Sequence, residues 1–361
     1  MQRLKERIDS IFRNAGADVI FLMNTSHHDS NFTYMTGFTS GDFEYNTLIV
    51  TKRGMVLPVS ELEYEIAMEQ RPSNMSVVKI DSRKQLGDIL KKHIKSKVVG
   101  VNGSFLPYLS YKNLKKLAKP KEVIDVSKAF HDARSVKYAY EIGKIRKANS
   151  ISKDSLEELK PELKAGMSEK ELAGRLEYFM RKRGSGGTAF KTIVSFNGNA
   201  ALPHHMPDNT KLAPNSIVLI DFGATFNNYC ADVTRTFMFK PEKSSQRHKR
   251  FTEMHSIVSQ AQHMALEAIK EGVTGESVHI IAANYIDKAK GGKYRGTFIH
   301  SLGHSIGLDV HDMGPGLGYG VKDRLKANMV VSDEPGIYVV GFGGVRIEDD
   351  VIVTKSGAKM L

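Results

Sequence analysis

Residues 215–239 read NSIVLIDFGATFNNYCADVTRTFMF. An apolar run up to Ile220 ends in Asp221. A turn around Thr225–Asn228 follows, and a second strand begins near Tyr229 and carries Asp232. This is the pattern of a β-hairpin. A loop centred between Phe226 and Asn227 puts Asp221 and Asp232 directly opposite each other, where like charges destabilise the pair unless a counter-ion is present. Two bland readings stay open at this point: turn-flanking acids, or acids paired with Arg235.

A second hairpin reads VVSDEPGIYVVGFGGVRIEDDVIV, residues 330–353, with its turn marked by Gly341, Gly343 and Gly344. Glu334 precedes Pro335-Gly336, and Glu348 lies two residues after Arg346. Residues i and i+2 of a strand share a face, so Glu348 is either a salt-bridge partner of Arg346 or a ligand beside it. Asp349 and Asp350 follow at once, and spacing alone does not select among the three acids. Between the hairpins runs His300-Ser-Leu-Gly-His304-Ser-Ile-Gly-Leu-Asp-Val-His311. His304 sits between Gly303 and Gly307, which allow close backbone approach, and is the best single metal ligand of the three. His300 and His311 are candidates for contact with substrate or with ligands. His204 and His205, in Ala201-Leu-Pro-His204-His205, lie before the first hairpin; a surface loop is the ordinary fate of such residues.

Asp221, Asp232, Glu334 and Glu348 all occupy apolar or Gly-rich surroundings, where an unpaired charge is costly. Brought together they resist ionising together. Two divalent cations match the charge of four carboxylates, so a dinuclear metal centre is the expectation, with His304 as the fifth ligand.

Outward from the hairpins the chain repeats weakly. A helix from Ala139 to about Leu159 leads to Lys164-Ala-Gly166-Met-Ser168 and a second helix through Arg183; Ser168 and Glu171 form a capping box. A helix from about Ser245 to Ile269 leads to Lys270-Glu-Gly272-Val-Thr274 and another helix to about Ala289. Each half then supplies one hairpin with two acids, and a pseudo-two-fold arrangement places the hairpins face to face. Residues 1–127 instead alternate strand-like runs (ADVIFLM, YNTLIVT, MVLPV, SVVKI, KVVGV) with helical ones (ELEYEIAMEQ, RKQLGDILKKHI, 111–118). They predict an α/β domain with a mixed sheet. Residues 128–137 show no clear period and connect it to a catalytic domain at 138–361.

At 361 residues the chain is long enough for two cores. No apolar run is long enough to span a bilayer. The first residues read as an amphipathic helix with Leu4, Ile8, Ile11 and Phe12 on one face, rather than as a targeting segment. The single cysteine, Cys230, excludes an intrachain disulfide and fits a cytoplasmic protein. Net charge is +12, with lysines concentrated at Lys91-Lys92, Lys115–Lys121 and Lys243–Arg250. Without an aromatic platform or a zinc-finger or RNP-like motif these read as solvated faces, so a nucleic-acid partner is not expected.

Taken together, Asp-Phe-Gly leading to Asp232-Val-Thr-Arg-Thr, His300-x-x-x-His304-x-x-Gly307, Glu334-Pro-Gly-Ile-Tyr and Gly-Gly-Val-Arg-Ile-Glu348 resemble the pita-bread metallopeptidases. The Xaa-Pro dipeptidase (prolidase) and aminopeptidase P branch fits best. Asn31-Phe-Thr-Tyr-Met-Thr-Gly37-Phe38 is similar to the creatinase-like N-terminal domain of that branch, so the resemblance spans the whole chain. Ser332 and Asp312 depart from the threonine and glutamate common in the family; both stand beside the ligands rather than among them. The resemblance implies an α+β chain, a smaller creatinase-like α/β domain followed by a pita-bread catalytic domain. It implies that Asp232 and Glu348 bridge two ions, Asp221 completing one and His304 with Glu334 the other. Oxygen-rich ligands with one imidazole suit Mn or Co, with Zn or Fe next. A metal-bridging hydroxide would attack the carbonyl before proline, with Glu334 shuttling a proton. His204 and His311 would stabilise the oxyanion or bind the substrate carboxylate, alongside His300 and Arg346. Xaa-Pro dipeptides are the expected substrates; the alternatives are longer peptides or a non-catalytic binding role. A homodimer is also implied.

Overall fold

The computed structural model describes residues 2–361, with side chains from Lys5 onward. Within them the chain forms two compact units, one ending at Ala133 and the other running Arg134–Leu361.

The first unit runs α1 (Gln2–Ala15), β1 (Val19–Met23), α2 (Ser30–Thr36), β2 (Thr47–Thr51), β3 (Gly54–Val59), α3 (Glu61–Gln70), β4 (Met75–Lys79), α4 (Arg83–Ile94), β5 (Val98–Val101), α5 (Tyr108–Ala118) and β6 (Glu122–Asp125). Its six strands form one sheet in the order β4-β3-β2-β1-β5-β6, antiparallel through β1, β2 and β3 and parallel outside them. This is the mixed sheet expected, with one strand more than the sequence suggested. Short β6, burying little side chain, carries almost no apolar signal of its own. The expected apolar face of α1 is buried at Ile8, Ile11 and Phe12; the side chain of Leu4 lies outside the described residues. The segment expected to connect the domains is largely a helix, α6 (Ser127–Ser135), and the division between units falls inside it.

The second unit contains α7 (Ala139–Leu159), α8 (Glu169–Lys182), β7 (Ile193–Phe196), β8 (Ser216–Phe222), β9 (Thr225–Phe226), β10 (Tyr229–Cys230), β11 (Val233–Phe239), α9 (Gln246–Ala268), α10 (Gly275–Lys288), β12 (Val330–Asp333), β13 (Gly336–Val339), β14 (Gly343–Arg346), β15 (Asp349–Val353) and β16 (Ala358–Met360). The repeat is realised as two helix pairs, each with a hairpin. One core joins Ile151, Leu156, Leu172, Leu176 and Phe179 of α7 and α8 to Val218, Ile220 and Phe222 of β8. The other joins Met254, Val258, Ala261, Val278 and Ala282 of α9 and α10 to Val331, Ile337, Val345 and Val351 of the second hairpin. Each large aliphatic side chain so buried contributes about 1.5–3 kcal/mol. The capping box at Ser168 and Glu171 opens α8 as expected, each group satisfying a backbone N–H of the other's turn.

The first hairpin differs from expectation in register. Val233 faces Phe222 and Thr234 faces Asp221, so the turn is centred between Asn227 and Asn228. The cause is backbone conformation. A tight two-residue turn of this hand needs positive φ at both central positions, and Asn227 and Asn228 supply it at 48° and 68°. Asp232 therefore lies diagonal to Asp221 rather than opposite it. Its cross-strand neighbour is Gly223, where a Cβ would stand 1.8 Å from the Ala231 carbonyl oxygen, so no larger residue fits.

In the second hairpin Asp333 faces Asp349 and Gly336 faces Arg346. The same register carried between these pairs sets Glu334 against Glu348. The two hairpins meet along a seam: Glu348 N–H donates to Thr234 O at 3.1 Å, and Thr236 Oγ1 both donates to Arg346 O at 2.8 Å and accepts from Arg346 N–H at 3.1 Å. The histidine segment lies along the free edge of β12. Ser332 N–H donates to His304 O at 2.8 Å and Glu334 N–H to Leu302 O at 2.8 Å.

Candidate metal centre

These three elements bring all five expected ligands to one cavity of about 560 Å³, which His204, His300, His311 and Arg346 also line. A groove of about 630 Å³ on the outer face of α8 is larger, but its charges are already paired, Lys182 with Glu158 and Arg175 with Glu162. In the acidic cavity the pairing is incomplete. His304 Nε2 lies 3.5 Å from Asp232 Oδ2 and 3.5 Å from Glu334 Oε1. One ligand atom each from Asp232, His304 and Glu348 can be chosen so that all lie within 4.8 Å of one another. His304 Nδ1 faces Ser305 O at 3.3 Å, which places the proton on Nδ1 and leaves the Nε2 lone pair directed at the acids.

Two of the acids are each held by one oxygen. Asp221 Oδ2 accepts from the Arg346 guanidinium, and Glu348 Oε2 accepts from Thr234 Oγ1 at 2.6 Å. Their other oxygens, Asp221 Oδ1 and Glu348 Oε1, are buried without a protein partner, as is Asp232 Oδ1. Buried carboxylate oxygens are rarely left so. Their convergence around a neutral imidazole fits divalent cations: oxygen donors and one nitrogen, with Asp221, Glu348 and His304 each oriented by a hydrogen bond on the far side.

The electrostatics agree. Burial, then the neighbouring Glu348 and Asp221 carboxylates, raises Asp232 well above the usual carboxylate range. Glu348 is raised by burial and then by Glu334 and Asp221, against the pull of Arg346 and Thr234. Burial pushes Glu334 up to about 8 although Arg346 pulls it down. Burial lowers His304 to about 4, helped by His311, whose ring packs edge-on at 4.1 Å. The protein thus holds acids that resist charge, a penalty a bound cation removes, and an imidazole that resists protonation, which is the form a cation requires.

The bland pairings considered for these acids do not form. Arg235 goes to Asp349 Oδ1 at 2.8 Å, not to Asp221 or Asp232, and Lys153 joins it at 2.7 Å. Arg346 pairs with Asp221 rather than with Glu348. Asp350 lies underneath, accepting from Asn149 at 2.7 Å and from the Asp232 backbone N–H at 3.1 Å.

Two groups escaped the sequence reading. Tyr338 Oη accepts from Arg346 at 2.8 Å and meets His300 Nε2 at 2.8 Å. Thr234 Oγ1 donates to Glu348 and accepts from Arg346 Nε at 3.0 Å. Strand period was the available signal: Tyr338 lies on the face of Glu334, and Thr234 on that of Asp232. Arg346 lines the cavity, but Thr234, Tyr338 and Asp221 engage all three of its nitrogens. His300 Nδ1 meets Ser301 O at 2.8 Å, so both its ring nitrogens are also engaged.

Residues 143–355 match metallopeptidase family M24, and residues 5–136 match the creatinase/prolidase N-terminal domain. The chain belongs to the M24 metallopeptidases. It is 36% identical over 314 residues to an Xaa-Pro dipeptidase of Pyrococcus furiosus, an alignment covering 87% of this chain and 86% of that one. The solved Xaa-Pro dipeptidase of Bacillus anthracis superposes with a TM-score of 0.87 at 31% identity, over 99% of this chain and 96% of that one. The X-Pro aminopeptidase of Thermotoga maritima superposes with a TM-score of 0.87 at 32% identity, over 97% and 96%. The α+β, creatinase-like plus pita-bread architecture expected from the motifs is therefore the fold of this chain, and membership of M24 implies divalent metal ions. No helix among the described residues is long and apolar enough to cross a membrane.

Proposed function

We propose that this protein hydrolyses the peptide bond before proline, with Xaa-Pro dipeptides as its first substrates and residues 138–361 as the catalytic domain. The observation that carries the metal site is the set of partnerless buried oxygens on Asp221, Asp232 and Glu348 beside the free Nε2 of His304. The choice of substrate rests on the proline peptidases to which the chain is similar. Asp221, Asp232, His304, Glu334 and Glu348 hold two divalent cations, Mn or Co first and Zn or Fe second. When bound, such ions supply Lewis acidity and make water acidic enough to ionise near neutral pH.

The side chains divide the remaining work. Glu334 lines the cavity beside the other ligands, where it takes up a proton and delivers it to the departing proline nitrogen. His204 and His311 face the cavity and donate to the developing oxyanion or to the substrate carboxylate. Arg346 acts mainly by holding Asp221, and Tyr338 fixes His300 at the edge of the site, where it meets substrate through its ring. A site for proline needs no acceptor for an N–H after the scissile bond, because proline has none.

Longer Xaa-Pro-Xaa peptides are the second reading, favoured by the likeness to the Thermotoga maritima enzyme. Hydrolysis of Ala-Pro beside Ala-Pro-Ala, with Mn or Co supplied, separates the two. Turnover of Ala-Pro is expected; turnover of the tripeptide alone transfers the assignment to the aminopeptidase. Loss of both activities in a sample of verified metal content removes the proline assignment altogether. We also take the protein to be a cytoplasmic homodimer, which sedimentation and fractionation test.

A further inference from the structure

One titratable cluster lies outside the acidic cavity. Ligand atoms of Glu169, His205 and Asp208 fall within 4.8 Å of one another, a spacing compatible with a metal ion. The hydrogen bonds decide otherwise. Glu169 is the first residue of α8, and its side chain is fully buried. Its Oε1 accepts from Phe196 N–H at 2.7 Å and Asn199 Nδ2 at 3.0 Å. Its Oε2 accepts from His205 Nε2 at 2.8 Å and Asp208 N–H at 3.0 Å. A carboxylate offers about four acceptor sites, and four donors occupy them. Nothing remains for a cation, and the same four donors tie the carboxylate to the loop that supplies them.

The four donors come from positions 196, 199, 205 and 208, on both sides of His204. Backbone bonds reinforce the attachment: Glu169 N–H donates to Thr210 O at 3.2 Å and Lys170 N–H to Asp208 O at 3.2 Å. The neighbouring histidines diverge. His205 turns inward to Glu169, with its side chain 14% exposed, while His204 is exposed and lines the acidic cavity.

We infer that Glu169 is a positioning residue: its carboxylate, through His205 and the loop 196–208, sets the direction in which His204 enters the active cavity. This rests on the proline-peptidase reading only where activity is measured. A displacement of about 1 Å at a group acting on the reacting atoms costs about 100-fold in rate. Glu169→Gln turns one acceptor into a donor facing donors and frees the loop. The value of kcat/KM for Ala-Pro is expected to fall about 100-fold in Glu169→Gln. In a His204→Ala background the same change is expected to cost less than about threefold, because the residue through which it acts is gone.

The second readout needs no turnover. In zinc-loaded protein labelled with ¹³C-histidine, the resonance lost in His204→Ala identifies His204. Glu169→Gln is expected to shift or broaden that resonance while leaving those of His300 and His311 in place. His205→Leu, which leaves the carboxylate intact, is expected to reproduce both changes; His205→Gln, which keeps a donor, is expected to produce neither. An unmoved His204 resonance in Glu169→Gln and His205→Leu overturns the inference, as does an equal loss of activity with and without His204. Failure of the wild-type protein to hydrolyse Ala-Pro would instead remove the peptidase reading and leave the resonance to decide this one.

Discussion

In the first hairpin the two acids are staggered, with Thr234 rather than Asp232 across from Asp221; in the second, Glu334 and Glu348 face each other. The repeat is thus symmetric in elements but not in register. Asp221 is held by a fully buried cation, Arg346, which comes from the other hairpin. Glu334 has no such partner and touches only Ser332 Oγ and the nearby imidazoles, with His300 Nδ1 at 3.9 Å. One hairpin therefore supplies an anchored, charge-compensated acid, and the other supplies an acid whose protonation is free to change. A pseudo-two-fold frame can place four carboxylates evenly, but this difference in pairing gives them different chemistry.

Replacing the free acid is expected to have the largest effect. Glu334→Gln should lower kcat/KM by about 10²–10⁴-fold, the range for a lost proton carrier, with near-native circular dichroism; peptide hydrolysis beside metal analysis separates loss of chemistry from loss of metal. Arg346→Met attacks the anchored acid. Leaving Asp221 buried without its cation should cost about 3–5 kcal/mol in the metal-free protein, read by urea unfolding, and less once metal is restored. If Arg346→Met is harmless without metal, the anchored side of the comparison is wrong.

The pH dependence follows from the raised acids. In the metal-free protein Glu334 keeps its proton up to about pH 8, whereas the unfolded chain releases it near 4.5. Between those values the folded state binds the extra proton, so its stability falls as pH rises. A bound cation takes the proton's place, so the gain in melting temperature on adding metal should grow from about pH 5 to about pH 8. A gain that stays flat over that range would mean the acids are already ionised. Thr234→Val removes the hydroxyl that orients Glu348 and is expected to weaken metal affinity by about 10–100-fold, measured by competition with a chelator. Smallest of all, Asn228→Ala replaces a side chain that tolerates positive φ with one that does not and should cost about 1–2 kcal/mol, measured by thermal unfolding. Slippage back to the register that opposes Asp221 and Asp232 would show as a larger loss, together with loss of metal.

The sequence made the periodic and local features legible. Helices α7 to α10 end within a residue or so of their apolar pattern, the Ser168–Glu171 cap closes as its spacing implies, and the five ligand positions stand in motifs that converge. The register of the first hairpin was misread by one residue at the turn centre, although the adjacent asparagines pointed to the answer. Which cation serves which acid could not be read. Arg346 is two residues from Glu348 in sequence, yet the fold turns it to Asp221, 125 positions away. Glu169 was hidden for the same reason: it sits between two capping residues with an obvious local purpose, and all of its side-chain partners lie at least 27 positions away.

The seam between the hairpins has a further consequence. Thr234 bonds Glu348 twice, by its carbonyl to the backbone N–H and by its hydroxyl to the carboxylate. Any fluctuation that parts the two halves must release the Glu348 carboxylate in the same event, so the frame cannot open while the centre stays intact. The Glu348 amide is therefore a single reporter of both. Its hydrogen-exchange rate should fall when metal is added, in proportion to the affinity gained, which would make a backbone proton a gauge of occupancy in a site that can otherwise be spectroscopically silent.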